Sequence, residues 1–169
     1  MARFALFSRL FLDFYPLIFT KSQSRVGLYS ELLPQVKAVL EGEEDLIAKQ
    51  ANLCAMIKEV LNFLWVGFYR VIDQQLILGP YQGPLACSRI EFGKGVCGAA
   101  WKLKETIIVP NVNEFEGHIA CSSLSQSEIV VPFFDSKRNV ISLLDIDSAQ
   151  LNDFGPTDQQ ALEEMRNYF

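Results

Sequence analysis

Two pairs of apolar runs, each folding back across a short polar turn, constrain this chain most. Phe63 to Ile72 and Leu76 to Tyr81 flank Asp73-Gln74, and Glu128 to Phe134 and Asn139 to Asp147 flank Asp135-Ser-Lys-Arg138. Short runs rich in β-branched and aromatic residues, bounded by turn residues, read as β-hairpins. Thr106 to Val109 adds one more strand. Arg25 to Leu40 reads as a helix that Pro34 should interrupt. Glu43 to Leu61 sets Leu46, Ile47, Leu53, Cys54, Ile57, Val60 and Leu61 on one helical stripe. Gly93 to Gly98 reads as a turn that opens a short helix through Lys104. Thr157 to Gln160 fits a capping box ahead of a last helix, Asp158 to Tyr168. Helices, hairpin, mixed segment, hairpin, helix predicts an α+β domain with a central antiparallel β-sheet flanked by helices.

Composition narrows the partners. With 169 residues, half of them hydrophobic, the chain can build one domain with a full core. Its net charge of -5 argues against nucleic acid or an anionic membrane surface. Four cysteines without a C-x-x-C, beside a single histidine, argue against a disulfide scaffold and a structural zinc site. No cofactor or metal is expected. Residues 1–22 read as an N-terminal extension. Phe4, Phe7, Phe11 and Phe14 recur at helical spacing, but Arg9 and Asp13 break the apolar run. That argues against a signal peptide or a membrane span and for a cytoplasmic setting. Residues 23–169 form the expected domain.

The residues with chemistry gather in and around Pro110 to Ser127, which has no clear period. A loop that long in a compact domain is usually functional. It holds His118, Cys121 and several serines, and Glu128 follows. Cys87 lies just past the first hairpin. Cys97 sits among glycines at a helix start, which should lower its thiol pKa. Cys54 belongs to an apolar stripe and reads as core. Asp145 and Asp147 lie two apart in a strand and share a face. A four-residue turn would pair Phe134 with Asn139 and set Glu128 opposite Asp145, with Leu143 and Ile141 on that face. Three carboxylates meeting on a buried face repel and raise one another's pKa unless a cation intervenes. No lysine lies in either strand, so the expected cation is a ligand ammonium. Thiols beside such a seat suggest redox chemistry on a small cationic molecule. One attacking and one resolving thiol complete a disulfide cycle. Helix-terminus logic favours Cys97 as attacker; placement beside the loop serines and Glu128 favours Cys121.

The blocks Trp65-Val-Gly-Phe-Tyr69, Leu78-Gly-Pro-Tyr-Gln-Gly83, Ala86-Cys87, Gly95-Val-Cys97-Gly98, Gly117-His-Ile-Ala-Cys121, Ser127-Glu-Ile-Val-Val-Pro132 and Leu144-Asp-Ile-Asp-Ser148 stand in a telling order. Over about residues 25 to 169 the chain resembles the free methionine-(R)-sulfoxide reductases, which are single GAF-domain enzymes. The resemblance implies thioredoxin-dependent reduction of free L-methionine (R)-S-oxide to methionine, through a cysteine sulfenic acid and an intramolecular disulfide. It implies Cys87, Cys97 and Cys121 as the active-site thiols. It implies Glu128, Asp145 and Asp147 as holders of the substrate amino group, and Trp65 and Tyr69 as walls around the sulfoxide. The implied partners are free methionine sulfoxide and thioredoxin, with a homodimer as one option. Three positions depart from the family pattern: Ser122 for a usual Asp, Asn111-Val-Asn113 for a frequent Asp-Val-His, and Ser142 for a common glycine. Two rival readings are a small-molecule-binding GAF sensor and a thiol redox sensor, neither with reductase activity.

Overall fold

Both hairpins form, and they share one sheet. The computed structural model describes residues 24–119 and 122–169. The extension expected over residues 1–22, with its phenylalanine spacing, lies outside the described residues. So does Cys121.

Helix α1, Arg25–Leu40, starts at Ser24, whose Oγ accepts the Gly27 N–H, a standard N-cap. Contrary to expectation, Pro34 does not interrupt it. Tyr29, Leu32, Val36 and Leu40 recur at helical spacing and are buried, so tertiary packing on that stripe outweighs the lost backbone bond. Helix α2, Leu46–Leu61, is capped by Asp45 and ends at Asn62 in the left-handed conformation. It turns Leu53, Cys54 and Ile57 inward. The expected stripe is trimmed at one end, where Ile47 is exposed.

The sheet has six strands in the order β3-β2-β1-β6-β5-β4, and every neighbouring pair is antiparallel. Strands β1 (Trp65–Ile72) and β2 (Gln75–Gln82) turn at Asp73 and Gln74, both at positive φ, as a two-residue hairpin requires. Strand β3, Arg89–Glu91, was not evident in the sequence, being only three residues long. Helix α3, Gly95–Leu103, leads to β4, Ile107–Val109. Strands β5 (Ser127–Phe134) and β6 (Val140–Ser148) follow, then α4, Pro156–Met165.

The register of the second hairpin differs from expectation. Glu128 lies opposite Asp147, and Val130 opposite Asp145. The turn takes five residues because Asp135 accepts bonds from the Lys137 and Asn139 backbones and the Asn139 amide. A bulge between Phe133 and Phe134 supplies the rest of the shift. The bulge also sends Ile141 to the opposite face from Leu143. The shift totals two residues, so Glu128, Asp145 and Asp147 still share one face. The last helix begins at Gly155 rather than Thr157: Asp158 accepts the Gly155 N–H and completes the cap.

Each sheet face carries its own core. One buries Val66, Phe68, Ile129, Val131, Leu144 and Ile146 against α1, α2 and α4. The other holds Trp65, Tyr69, Val130 and Leu143 with Val96, Cys97 and Ala100 of α3. The carboxylates belong to this second face, under α3 and the long loop.

Candidate active site

Period-two alternation builds the floor. Asp145 and Asp147 on β6 pair with Val130 and Glu128 on β5, and with Gly67 and Trp65 on β1. Tyr69 sits two residues further along β1, opposite Leu143. One patch therefore carries three carboxylates and two aromatic rings. The Trp65 and Tyr69 rings stack at 6.0 Å, and Tyr81 stacks on Trp65 at 5.5 Å. The Trp65 indole donates to the Pro84 carbonyl and the Tyr69 hydroxyl to the Cys87 carbonyl at 2.9 Å. These bonds tie the Cys87 segment to the sheet.

The long loop is anchored at its base. The Val112 N–H donates to the Gln126 carbonyl, and the Gln126 N–H to the Ser148 carbonyl. Between these anchors it arches over a pocket with about 520 Å³ of atom-free space, part of it open to solvent. Trp65, Tyr69, Leu85, Cys97, His118, Ser122, Ser125, Glu128, Asp145 and Asp147 are among its walls.

The electrostatics are unusual for so acidic a patch. Glu128 and Asp145 are 6% and 7% exposed, and among the described residues no lysine or arginine forms an ion pair with them. Burial first, then Asp145 and Asp147, push the Glu128 carboxyl well above the usual range. Burial and Asp147 do the same to Asp145, while hydrogen bonds from Cys97 and Glu128 pull it back. Asp147 rises to about 6 through burial, restrained by a hydrogen bond from Ser125. Among the described residues, the buried Oδ1 atom of Asp145 has no hydrogen-bond partner. Such a group invites a cation.

His118 Nε2 lies 3.9 Å from Glu128 Oε2, beyond hydrogen-bond range. Burial lowers the His118 pKa and raises that of Glu128, so the neutral form is favoured on both sides and the contact is no ion pair.

The thiols divide. Cys87 takes part in a disulfide, whereas Cys54 and Cys97 are free. Cys54 packs in the opposite core, and burial pushes its pKa to about 12. Cys97 does sit in the first turn of α3, as expected. Its pKa moves the other way from expectation: burial, then Asp145 and Glu128, raise it well above the usual value. A helix terminus shifts a thiol modestly, and full desolvation beside two carboxylates outweighs it.

Sequence reasoning missed two contributors. Ser125 holds Asp147 and is itself buried. Its signal was only a serine one turn of chain before Glu128. Gly67 lies under the Trp65 ring, and a Cβ there would overlap both that ring and Tyr81. Glycine inside a strand marks such a close approach.

Comparison with known proteins gives the family. A GAF domain family model matches residues 50–168. "GAF domain-containing protein A" of Dictyostelium discoideum is 51% identical over 143 residues, 84% of this chain and 90% of that protein. The free methionine-R-sulfoxide reductase of Escherichia coli is 39% identical, over 84% of this chain and 86% of its own. The crystal structure of free methionine-R-sulfoxide reductase from Neisseria meningitidis in complex with its substrate superposes with a TM-score of 0.87 at 46% identity, covering 90% and 92% of the two chains. The six-stranded antiparallel sheet, the helices on its faces and these relatives together make the chain a GAF-domain protein of the free methionine-R-sulfoxide reductase family.

Proposed function

We propose that this protein reduces free L-methionine (R)-S-oxide to methionine, using thioredoxin as the source of electrons. The observation that carries the reading is the seat itself: three carboxylates on one buried sheet face, with the Asp145 Oδ1 atom unpartnered. The substrate ammonium would enter among Glu128, Asp145 and Asp147 and supply the missing positive charge. A peptide-bound residue has an uncharged amide instead of that ammonium. Trp65 and Tyr69 would enclose the methyl sulfoxide end, an apolar wall beside a polar head.

Cys121 is the proposed attacker. Attack of its thiolate on sulfur, with protonation of the oxygen, would release methionine and leave a cysteine sulfenic acid. An unprotonated sulfoxide oxygen is a poor leaving group, so an acid is needed. Glu128, with its raised pKa, is the proposed donor. Cys87 is the proposed resolving thiol: it would condense with the sulfenic acid, expelling water and forming a disulfide. Its disulfide-bonded state, with Cys54 and Cys97 free, supports that role. Cys97, buried and held protonated, suits a proton reservoir beside Asp145 better than a nucleophile. A dithiol protein such as thioredoxin would then return the pair to thiols.

Oxidation of NADPH in the presence of thioredoxin, its reductase and the chain tests the reading. Consumption is expected with the free R epimer and not with the S epimer or a peptide containing methionine sulfoxide. Equal turnover of the peptide would refute the ammonium seat, and no turnover of any form would leave a sensor reading in its place.

A further inference from the structure

Cys97, Glu128 and Asp145 form a second kind of cluster within the same pocket floor. One ligand atom from each, a sulfur and two carboxylate oxygens, lies within 4.8 Å of the others, and all three residues are buried. A tetrahedral Zn²⁺ with bonds of 2.0–2.3 Å would separate its ligand atoms by about 3.3–3.8 Å. The donors lie no further than 4.8 Å apart, so even the widest pair needs to close by at most about 1.5 Å. A second observation points the same way: Asp145, 7% exposed and lining the pocket, has no hydrogen-bond partner for Oδ1 among the described residues. All three residues line the pocket, as does His118. Sulfur among the donors disfavours Mg²⁺ and Ca²⁺, which take oxygen, and favours a borderline ion.

We propose that Cys97, Glu128 and Asp145 bind a borderline divalent cation, with Zn²⁺ the best fit, in the floor of this pocket. On binding, the Cys97 S–H bond breaks, the sulfur bonds the metal, and the proton leaves to solvent; no electrons move. The sequence pointed away from a structural zinc site because only Cys and His number and spacing were weighed. Here two carboxylates stand where a structural site would use more thiols. If the substrate reading holds, ion and ammonium compete for one seat, and zinc inhibits the enzyme. Only this last consequence rests on that reading.

Co²⁺ serves as the probe, because a thiolate-to-cobalt charge-transfer band reports sulfur ligation directly. In the oxidised chain Cys87 is in a disulfide and Cys54 lies in the opposite core. A saturable band is expected, displaced by Zn²⁺, retained in Cys54→Ser and lost in Cys97→Ser. Glu128→Gln, which keeps every thiol, should weaken Co²⁺ binding at least about tenfold. No band, a band that survives Cys97→Ser, or full affinity in Glu128→Gln overturns the proposal. Adding free L-methionine should lower the apparent Co²⁺ affinity. A band indifferent to methionine leaves the ion site standing and counts against the ammonium seat instead.

Discussion

At the scale of single residues, burial decides more than charge sequence does. Cys97 has a helix start beneath it and glycines around it, yet its thiol is held protonated by desolvation and by Asp145. Attack should therefore fall to Cys121. In a Cys87→Ser variant, a sulfenic-acid probe after one turnover should label Cys121; label on Cys97 would reverse the assignment. Cys121→Ser should abolish turnover, and Cys54→Ser should leave it intact. The carboxylates give a second test. Glu128 faces Asp147 across the strands, so Asp147→Asn should leave stability unchanged or raise it by a few tenths to ~1 kcal/mol. The same change should weaken methionine binding by roughly 1.5–3 kcal/mol through the lost charge-assisted bond. Thermal shift with and without methionine measures both; early unfolding with normal binding would assign Asp147 to the fold. Gly67→Ala offers a third test. The added methyl overlaps Trp65 and Tyr81, which should cost about 1–3 kcal/mol and raise KM more than it lowers kcat. A variant with unchanged KM would show that Trp65 does not wall the substrate.

At the scale of elements, one polar cluster ties the ends of the chain's main helices together. Asp158 at the start of α4 accepts from the Tyr29 hydroxyl at 2.9 Å, from Arg25 at 3.2 Å and from the Gly155 N–H. Arg25 also reaches Asp153 and stacks on Phe63. Asp158 is 3% exposed, so Asp158→Ala would strand buried donors and remove a helix cap. A loss of about 3–5 kcal/mol is expected in urea unfolding. A loss below about 1 kcal/mol would mean that the cluster is relaxed by water. Helix α1 was legible over Arg25–Leu40, but its Ser24 cap and its passage through Pro34 were not. The start of α4 was not, because Asp158 caps Gly155 and a glycine carries no capping signal of its own.

At the scale of the whole molecule, the acidic floor links stability to pH. Asp147 has its pKa raised to about 6, and Glu128 and Asp145 are raised further by burial. A carboxyl with a raised native pKa binds more protons folded than unfolded between the two values. The stability it contributes is fully present below the unfolded pKa near 3.8 and lost as pH rises through about 6 and beyond. The empty protein should therefore unfold more easily at pH 7 than at pH 5 by this contribution. Bound methionine should reverse much of that loss and release protons as it binds. Calorimetry in buffers of different ionisation enthalpy measures the released protons; none released would refute the seat's raised pKa values.

The strand pairs, the inward stripe of α2, the shared face of Asp145 and Asp147, and Trp65 and Tyr69 four apart on β1 were all legible along the chain. Each depends on local periodicity, which the backbone geometry converts directly into a face. The tertiary structure alone decided the register of β5 on β6, because a bulge and a five-residue turn are set by side-chain bonds around Asp135. It alone decided that Ser125 holds Asp147, that Trp65 lies over Gly67, and that Cys97 is a buried acid rather than an activated thiol. Those facts depend on how much water each group loses, and desolvation is a property of the packed molecule that no stretch of sequence carries.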